Sequence, residues 1–415
     1  MGRRLCGEGE YPVPLLAVAG YRLPGAGRAF PDEPLAEQGW ASVLAGARTH
    51  RLTGLLSAAT ADGALPATQA QVHQARAAHR AALLRVMALE RELIAVVELL
   101  AGEGVESRVL KGSAVAHLDY SDPALRSFID LDVLVRASDI DRAVAVLSAA
   151  GFARTLAEPR PGFDRRFDKG LTLIPPAGFE LDLHRTFVLG PWGVLVDLDR
   201  LWDEGQEFRV GGRPVRALSR PNRFMHACYH AALGDWPLRL GSLRDVGEML
   251  RGLDGDGETV RRLTASWSVE AVVAAAVADS RRLLGTASAG ELSDWAEGYV
   301  PSRREEAWLA LHTHAGKTFS AQAIGDAADP SAVAGQGGLP PRAVAAGRAV
   351  PGRPTPLAAG PPQVRRAGDP PGTGSAAVAS PPRGSVACAS RSRPYRSSRA
   401  AHLNSSPRVS RRTRS

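Results

Sequence analysis

The length and composition of the chain allow about two or three domains and exclude several protein classes. Of its 415 residues, 44% are hydrophobic, which is enough for a sizeable core. No run approaches the roughly eighteen consecutive apolar residues of a transmembrane helix. The three cysteines, Cys6, Cys228 and Cys388, are far apart and odd in number. That pattern argues against a disulfide framework. It favours a cytoplasmic location, since polar residues 7–10 also interrupt any signal peptide.

The net charge of +8 is distributed unevenly. Residues 331–415 contain fourteen arginines, no lysine and a single acid, Asp369, so the rest of the chain is mildly acidic. Pro, Gly, Ser, Ala and Arg dominate residues 327–415, which we expect to be disordered because they offer little apolar surface to bury. This tail is able to bind nucleic acid through charge, although only Tyr395 interleaves with its arginines. Its composition is also what a GC-rich reading frame other than the authentic one would give.

The first third of the chain is predicted to be helical after an irregular lead-in. Residues 1–34 are rich in Gly and Pro, which favours irregular structure. In the helical region, residues 35–102, Trp40, Val43, Leu44 and Ala47 recur at helical spacing. Residues 71–100 contain neither Pro nor Gly and predict one long helix.

The predicted secondary structure changes in residues 103–218, where short strands alternate with helices. Alternating apolar residues and turn signals predict four strands and two helices. The strands are 107–110, 128–135, 170–174 and 179–184, and the helices are 114–119 and 139–150. Helices resume over residues 219–326. The predicted fold class is α+β, with a small mixed sheet flanked by N-terminal and C-terminal helical regions.

Acidic residues on two of these strands predict a metal site. Asp130 and Asp132 are two apart, so on a strand they share one face. Adjacent carboxylates repel each other unless a cation bridges them, and Mg²⁺ prefers such oxygen ligands. A third acid is expected on a neighbouring strand. Asp182 is our choice, with Glu180 in reserve.

A phosphate-binding turn is predicted just upstream. Lys111, Gly112 and Ser113 connect a strand to the start of a helix, where backbone N–H groups attract phosphate. Lys111 adds a positive charge, or is an ordinary turn lysine. Arg126 has the guanidinium fork that grips phosphate, but salt bridging explains it nearly as well.

These residues together resemble a known family. The similarity covers roughly residues 40–250 and lies in Lys111-Gly112-Ser113, Tyr120, Arg126, Asp130-Leu-Asp132, Ala150-Gly151-Phe152 and Asp182-Leu-His184. This pattern resembles the uncharacterised nucleotidyltransferase family of the DNA polymerase β-like superfamily. The resemblance implies transfer of a nucleotidyl group from a nucleoside triphosphate to an acceptor hydroxyl. It also implies that Asp130, Asp132 and Asp182 hold Mg²⁺, with two ions expected.

Other patterns leave alternatives open. His226 and His230 have the i, i+4 spacing of a metal pair, but no third ligand is evident, so a buried histidine face is favoured. His184 is more often a packed or hydrogen-bonding residue than a catalytic one. The alternative functions are a non-catalytic module of the same fold that binds nucleotide or a partner, and a nucleic-acid binder acting through the tail. The pattern does not identify the acceptor.

Overall fold

The sheet that organises the molecule draws its strands from the middle of the chain. The computed structural model describes residues 8–313, apart from 235–236, 254 and 288–289. Within these residues the strands are β1 (Ser107–Leu110), β2 (Leu131–Val135), β3 (Ala153–Arg154), β4 (Gly170–Ile174), β5 (Leu181–His184), β6 (Gly205–Val210) and β7 (Arg213–Leu218). They form one sheet in the order β3-β4-β5-β2-β1-β7-β6. The sheet is mixed, because β2 runs parallel to β5 and β1 parallel to β7, while the other neighbours are antiparallel.

Helices cover both faces of this sheet. In the described part of the chain they are α1 (Val13–Gly20), α2 (Glu37–Thr49), α3 (Thr53–Ala61), α4 (Gln69–Gly102), α5 (Gly112–Leu118), α6 (Ile140–Ala149), α7 (Phe163–Arg166), α8 (Pro191–Val194), α9 (Arg200–Asp203), α10 (Arg220–Tyr229), α11 (Leu240–Arg251), α12 (Gly257–Ser266), α13 (Glu270–Leu284), α14 (Glu291–Gly298) and α15 (Arg303–Ala310). The long helix α4 begins at a capping box formed by Thr68 and Gln71. A π-helical turn, His230–Gly234, extends α10.

Two hydrophobic clusters lie on opposite faces of the sheet, and strand alternation separates them. Val133 belongs to the cluster shared with α4 and α6. Its neighbour Leu134 belongs to the cluster shared with α1–α3 and α10–α13. The predicted divisions at residues 35–102, 103–218 and 219–326 stay predictions, since both clusters draw on more than one of them.

Two expectations about local structure are wrong. Residues 1–34 are not uniformly irregular, because α1 lies within them and its residues 15–20 are buried. Prolines at the first turn of a helix are tolerated, so Pro12 and Pro14 start this helix and do not prevent it. The strand predicted at 128–135 begins only at Leu131. The β6–β7 hairpin was not among the predicted strands.

The predicted fold class is confirmed: a mixed sheet carries helices before and after it in the chain. Among the described residues, no helix combines the length and the apolar character needed to cross a bilayer. The tail predicted to be disordered, residues 327–415, lies outside the described residues, as does the stretch 314–326 of the predicted C-terminal helical region.

Candidate active site on the β2–β5 sheet face

Parallel pairing of β2 and β5 brings two predicted acids side by side. Asp132 is the register partner of Asp182, and Leu134 is the partner of His184. Leu131, Val133 and Val135 of β2 point to the opposite face and are buried there, as the alternation predicts. The polar side chains therefore share the sheet face that looks toward the C-terminal helices.

Asp132 is the most enclosed acid of the group and has two partners. The carboxylate oxygen Oδ1 lies 2.8 Å from Nζ of Lys111 and 2.9 Å from Nε2 of His184. Burial raises the pKa of Asp132, but the charge of Lys111 and the hydrogen bond from His184 outweigh burial and hold that pKa well below its usual range. Burial lowers the pKa of Lys111, but Asp132 and Asp130 raise it above its usual value. Asp132 is thus ionised and Lys111 charged at neutral pH.

Asp132, Asp182 and His184 together could hold a metal ion. One ligand atom from each lies within 4.8 Å of the others. Two carboxylates suit Mg²⁺ or Mn²⁺, and the imidazole suits Mn²⁺ and other transition metals better than Mg²⁺. The buried Nδ1 of His184 and the buried Oγ of Ser113 have no hydrogen-bond partner among the residues that the structure describes. Such atoms are costly to bury unpaired, so a polar ligand here fits the residues present.

The chain turns sharply between β1 and α5, where the predicted phosphate-binding residues lie. Lys111 has φ of 42° and ψ of −139°, and Gly112 also has a positive φ of 35°. A non-glycine residue in such a conformation costs on the order of 1–3 kcal/mol and persists only where its surroundings fix it. A side chain at Gly112 would meet the ring of Phe128 at 3.4 Å. The turn places Lys111 beside Asp132 and buries Ser113 at the start of α5.

Arg126 was expected to grip phosphate, but the structure shows it engaged elsewhere. Its Nε and Nη2 donate to the two carboxylate oxygens of Asp245 at 2.9 and 2.7 Å, and its Nη1 donates to the carbonyl of Gly112 at 3.0 Å. Tyr120 donates to the same carboxylate at 2.8 Å. All three side chains are buried. These contacts hold the glycine turn against α11, and the predicted phosphate contact of Arg126 stays a prediction.

Asp130 does not join the cluster of metal-binding atoms. It lies in the bend before β2, so strand alternation does not place it on the face of Asp132. Its Oδ1 is 3.6 Å from Nη1 of Arg51, and its side chain is about a quarter exposed. Asp130 still acts on the site through its charge, which contributes to the raised pKa of Lys111. Glu180, the reserve ligand, is exposed and lies outside the cluster.

Helix α10 supplies a further wall of the site through His226. Its ring lies 4.6 Å from the ring of Phe187. Burial, and then the positive charge of Lys111, lower the pKa of His226 well below its usual value, so it is neutral at pH 7. His226 has no place in the cluster with Asp132, so the i, i+4 histidine pair is not part of that site.

Sequence reasoning left three of these residues out of the proposed site. The signal for His184 was present in its spacing from Asp182, which puts both on one strand face. Asp245 lies 119 positions from its partner Arg126, and no local pattern connects the two. The contribution of Arg51 has no sequence signal, because it depends on the loop between α2 and α3 packing beside Asp130.

Carboxylates on adjacent strands, beside a glycine–serine turn that opens a helix, are the arrangement of a nucleotidyltransferase. The model of the family described as uncharacterised nucleotidyltransferase matches residues 36–285. That match spans more than half of the chain, and the chain belongs to this family. It is accordingly an enzyme of the nucleotidyltransferase class.

Several solved structures show a distant likeness. The antibiotic-resistance factor ANT(2'')-Ia is 15% identical with a TM-score of 0.33, over 44% of this chain and 91% of that one. The lincosamide antibiotic adenylyltransferase LnuA, bound to lincomycin, is 15% identical with a TM-score of 0.27, over 38% and 94%. An antigenic nucleotidyltransferase-like protein from Paracoccidioides brasiliensis is 13% identical with a TM-score of 0.26, over 44% and 92%. Comparison with curated proteins gives no match. The family assignment rests on the family model alone.

Proposed function

We propose that the protein catalyses Mg²⁺-dependent transfer of a nucleotidyl group from a nucleoside triphosphate to an acceptor hydroxyl. The observation that carries this proposal is the convergence of Asp132, Asp182 and His184 next to Lys111. A cluster of two carboxylates and an imidazole beside a charged lysine offers ligands for a cation and a partner for phosphate at the same place.

The residues divide into those that hold a cation and those that hold the triphosphate. Asp132 and Asp182 would hold Mg²⁺, with His184 as the third ligand or as the group that orients Asp132. Asp130 lies at the edge of the site. It would serve as the further acid that a second metal ion requires. When bound, the metal neutralises charge that builds up on the transferred phosphate. Lys111 and the hydroxyl of Ser113 would contact the phosphates, and Gly112 lets them approach the backbone.

The reaction then needs a base for the acceptor hydroxyl. The acceptor oxygen forms a bond to the α-phosphorus while the bond to the β-phosphate oxygen breaks and pyrophosphate leaves. Asp182 would take the hydroxyl proton; in support, it is only partly buried and a 2.6 Å hydrogen bond from Thr172 orients its carboxylate. Asp132 is unsuited to this role, since its lowered pKa makes it a weak base.

The test follows labelled nucleotide into an acceptor. The full chain would be incubated with Mg²⁺, a cell extract and each α-labelled nucleoside triphosphate in turn, and the labelled product isolated. Asp132→Asn should abolish the label. The matched control is Glu180→Gln, which removes an exposed acid just before the neighbouring strand β5. Nucleotide binding without any transfer would favour the non-catalytic alternative. Equal transfer by wild type and Asp132→Asn would remove Asp132 from the mechanism.

The C-terminal tail provides a second discrimination. A chain that ends before residue 327 should transfer nucleotide at close to the wild-type rate, because every residue described at the site precedes residue 246. If removing the tail abolished the function, the predicted alternative of a nucleic-acid binder would be favoured instead.

A further inference from the structure

We propose that the ammonium of Lys111 competes with a metal cation for the carboxylate of Asp132. The metal therefore binds tightly only when a bound triphosphate gives Lys111 another partner. This inference rests on the proposed function, since it concerns the same metal site. Its starting point is the 2.8 Å contact between Nζ of Lys111 and Oδ1 of Asp132.

The competition follows from how Asp132 is shared. Its Oδ1 accepts from Nζ of Lys111 and from Nε2 of His184. A carboxylate oxygen has about two lone-pair sites, and both are occupied by these donors. A metal ion that binds this oxygen must therefore displace either Lys111 or His184. A metal on the other oxygen would still lie within a few ångströms of the ammonium, where like charges repel strongly in a buried site. The attraction of Asp130 and Asp182 for Lys111 adds to the competition.

The backbone fixes Lys111 in this position but leaves its side chain a way out. The residue adopts its unfavourable φ of 42° at the turn between β1 and α5. That turn also carries Ser113, so a phosphate bound there lies within reach of the same ammonium. The side chain of Lys111 is 17% exposed, against 2% for Asp132, so it is the member of the pair that is able to move. Metal and triphosphate should therefore bind more tightly together than either alone.

The first test measures metal binding in the absence of nucleotide. Mn²⁺, which is visible by electron paramagnetic resonance, would be titrated into the full chain and into the Lys111→Gln variant. Glutamine keeps a hydrogen-bond donor for Asp132 but removes the charge. We expect Lys111→Gln to bind Mn²⁺ roughly tenfold more tightly, because a nearby positive charge is lost. The matched control is Lys169→Gln, a partly buried lysine outside the cluster, which should bind as the wild type does.

The second test does not depend on the variant folding. The chain has three lysines, Lys111, Lys169 and Lys317, so amine labelling can be assigned to each by mass spectrometry. Adding Mn²⁺ to saturation should increase the labelling of Lys111 in the wild type while leaving that of Lys169 constant.

The outcomes are distinct. Unchanged or weaker Mn²⁺ binding by a folded Lys111→Gln variant would overturn the inference, as would Lys111 labelling that does not respond to Mn²⁺. Failure of every variant to bind Mn²⁺ would also overturn it. Tighter binding by Lys111→Gln in a protein that never transfers nucleotide would leave the inference standing and would refute the proposed function instead.

Discussion

Replacing Asp245 by Asn tests what the buried ion pair with Arg126 contributes to the fold. Arg126 is 8% exposed and Asp245 is 5% exposed, and two hydrogen bonds of 2.9 and 2.7 Å join them. Asparagine keeps the size of the side chain but removes its charge. The guanidinium of Arg126 then stays buried and positively charged, because it does not lose its proton.

The expected loss of stability is large for a single substitution. Removing one partner of a buried pair costs about 3–5 kcal/mol, since the remaining charge is uncompensated. In large domains each kcal/mol shifts the melting temperature by about 2–4 °C, so Asp245→Asn should melt about 6–20 °C below the wild type. Urea unfolding and calorimetry of both proteins at neutral pH measure this difference. A loss below about 1 kcal/mol would show that water compensates Arg126, and the reasoning would fail.

A combined variant separates packing from function. Tyr120→Phe, Arg126→Met and Asp245→Leu in one chain remove every charge and hydroxyl of the network. Stability should return to near the wild-type value, because apolar replacement of a buried pair is often neutral or stabilising. Triphosphate affinity should fall below that of the wild type, since the carbonyl of Gly112 loses its donor from Arg126. Wild-type affinity in a stable variant would limit the network to a structural role.

Three further predictions concern single residues. Asp132→Asn should lower the free energy of unfolding by about 1–3 kcal/mol, because Lys111 loses its partner. The folded-state pKa of Asp132 is lowered, so its contribution is complete above the unfolded pKa of about 3.9 and is lost as pH falls below it. Urea unfolding from pH 3 to 7 should show the difference from wild type shrinking only at the acid end. Gly112→Ala should cost about 1–2 kcal/mol in the same assay, because φ is positive and the ring of Phe128 is close. Cys228, whose pKa is raised by burial, should react with iodoacetamide at pH 8 only in denaturant; labelling assigned to Cys228 in the native protein by peptide mass spectrometry would contradict this.

The sequence predicted the site best where neighbouring residues in the same segment determine which way a side chain points. Strand alternation around Asp132 and Asp182 placed their apolar neighbours on the opposite face, and the structure confirms that placement. Alternation failed for Asp130, because the strand begins one residue later. The start of β2 depends on pairing beside β5, where the carbonyl of Glu180 accepts from the backbone N–H of Leu131. Such pairing is not visible in one segment of sequence.

Long-range partners were beyond the reach of the sequence. Asp245 is 119 positions from Arg126, and nothing in either local pattern links them. The same limit applies to the repulsion expected between Asp130 and Asp132, from which neutralising Asp132 would be expected to raise stability. Lys111 reverses that expectation, since it compensates the buried charge of Asp132.

Helix α1 has a consequence for synthesis of the chain. It precedes the region matched by the family, yet it packs against α2, α3, α11 and α13. Arg244 of α11 donates to the carbonyls of Ala19 and Tyr21, and Ala19 lies 225 positions earlier. At about 5–20 residues per second, a ribosome needs roughly 11–45 s to cover that distance. For that time α1 has only α2 and α3 to pack against, so the apolar surface that α11 and α13 cover in the folded protein stays exposed in the nascent chain.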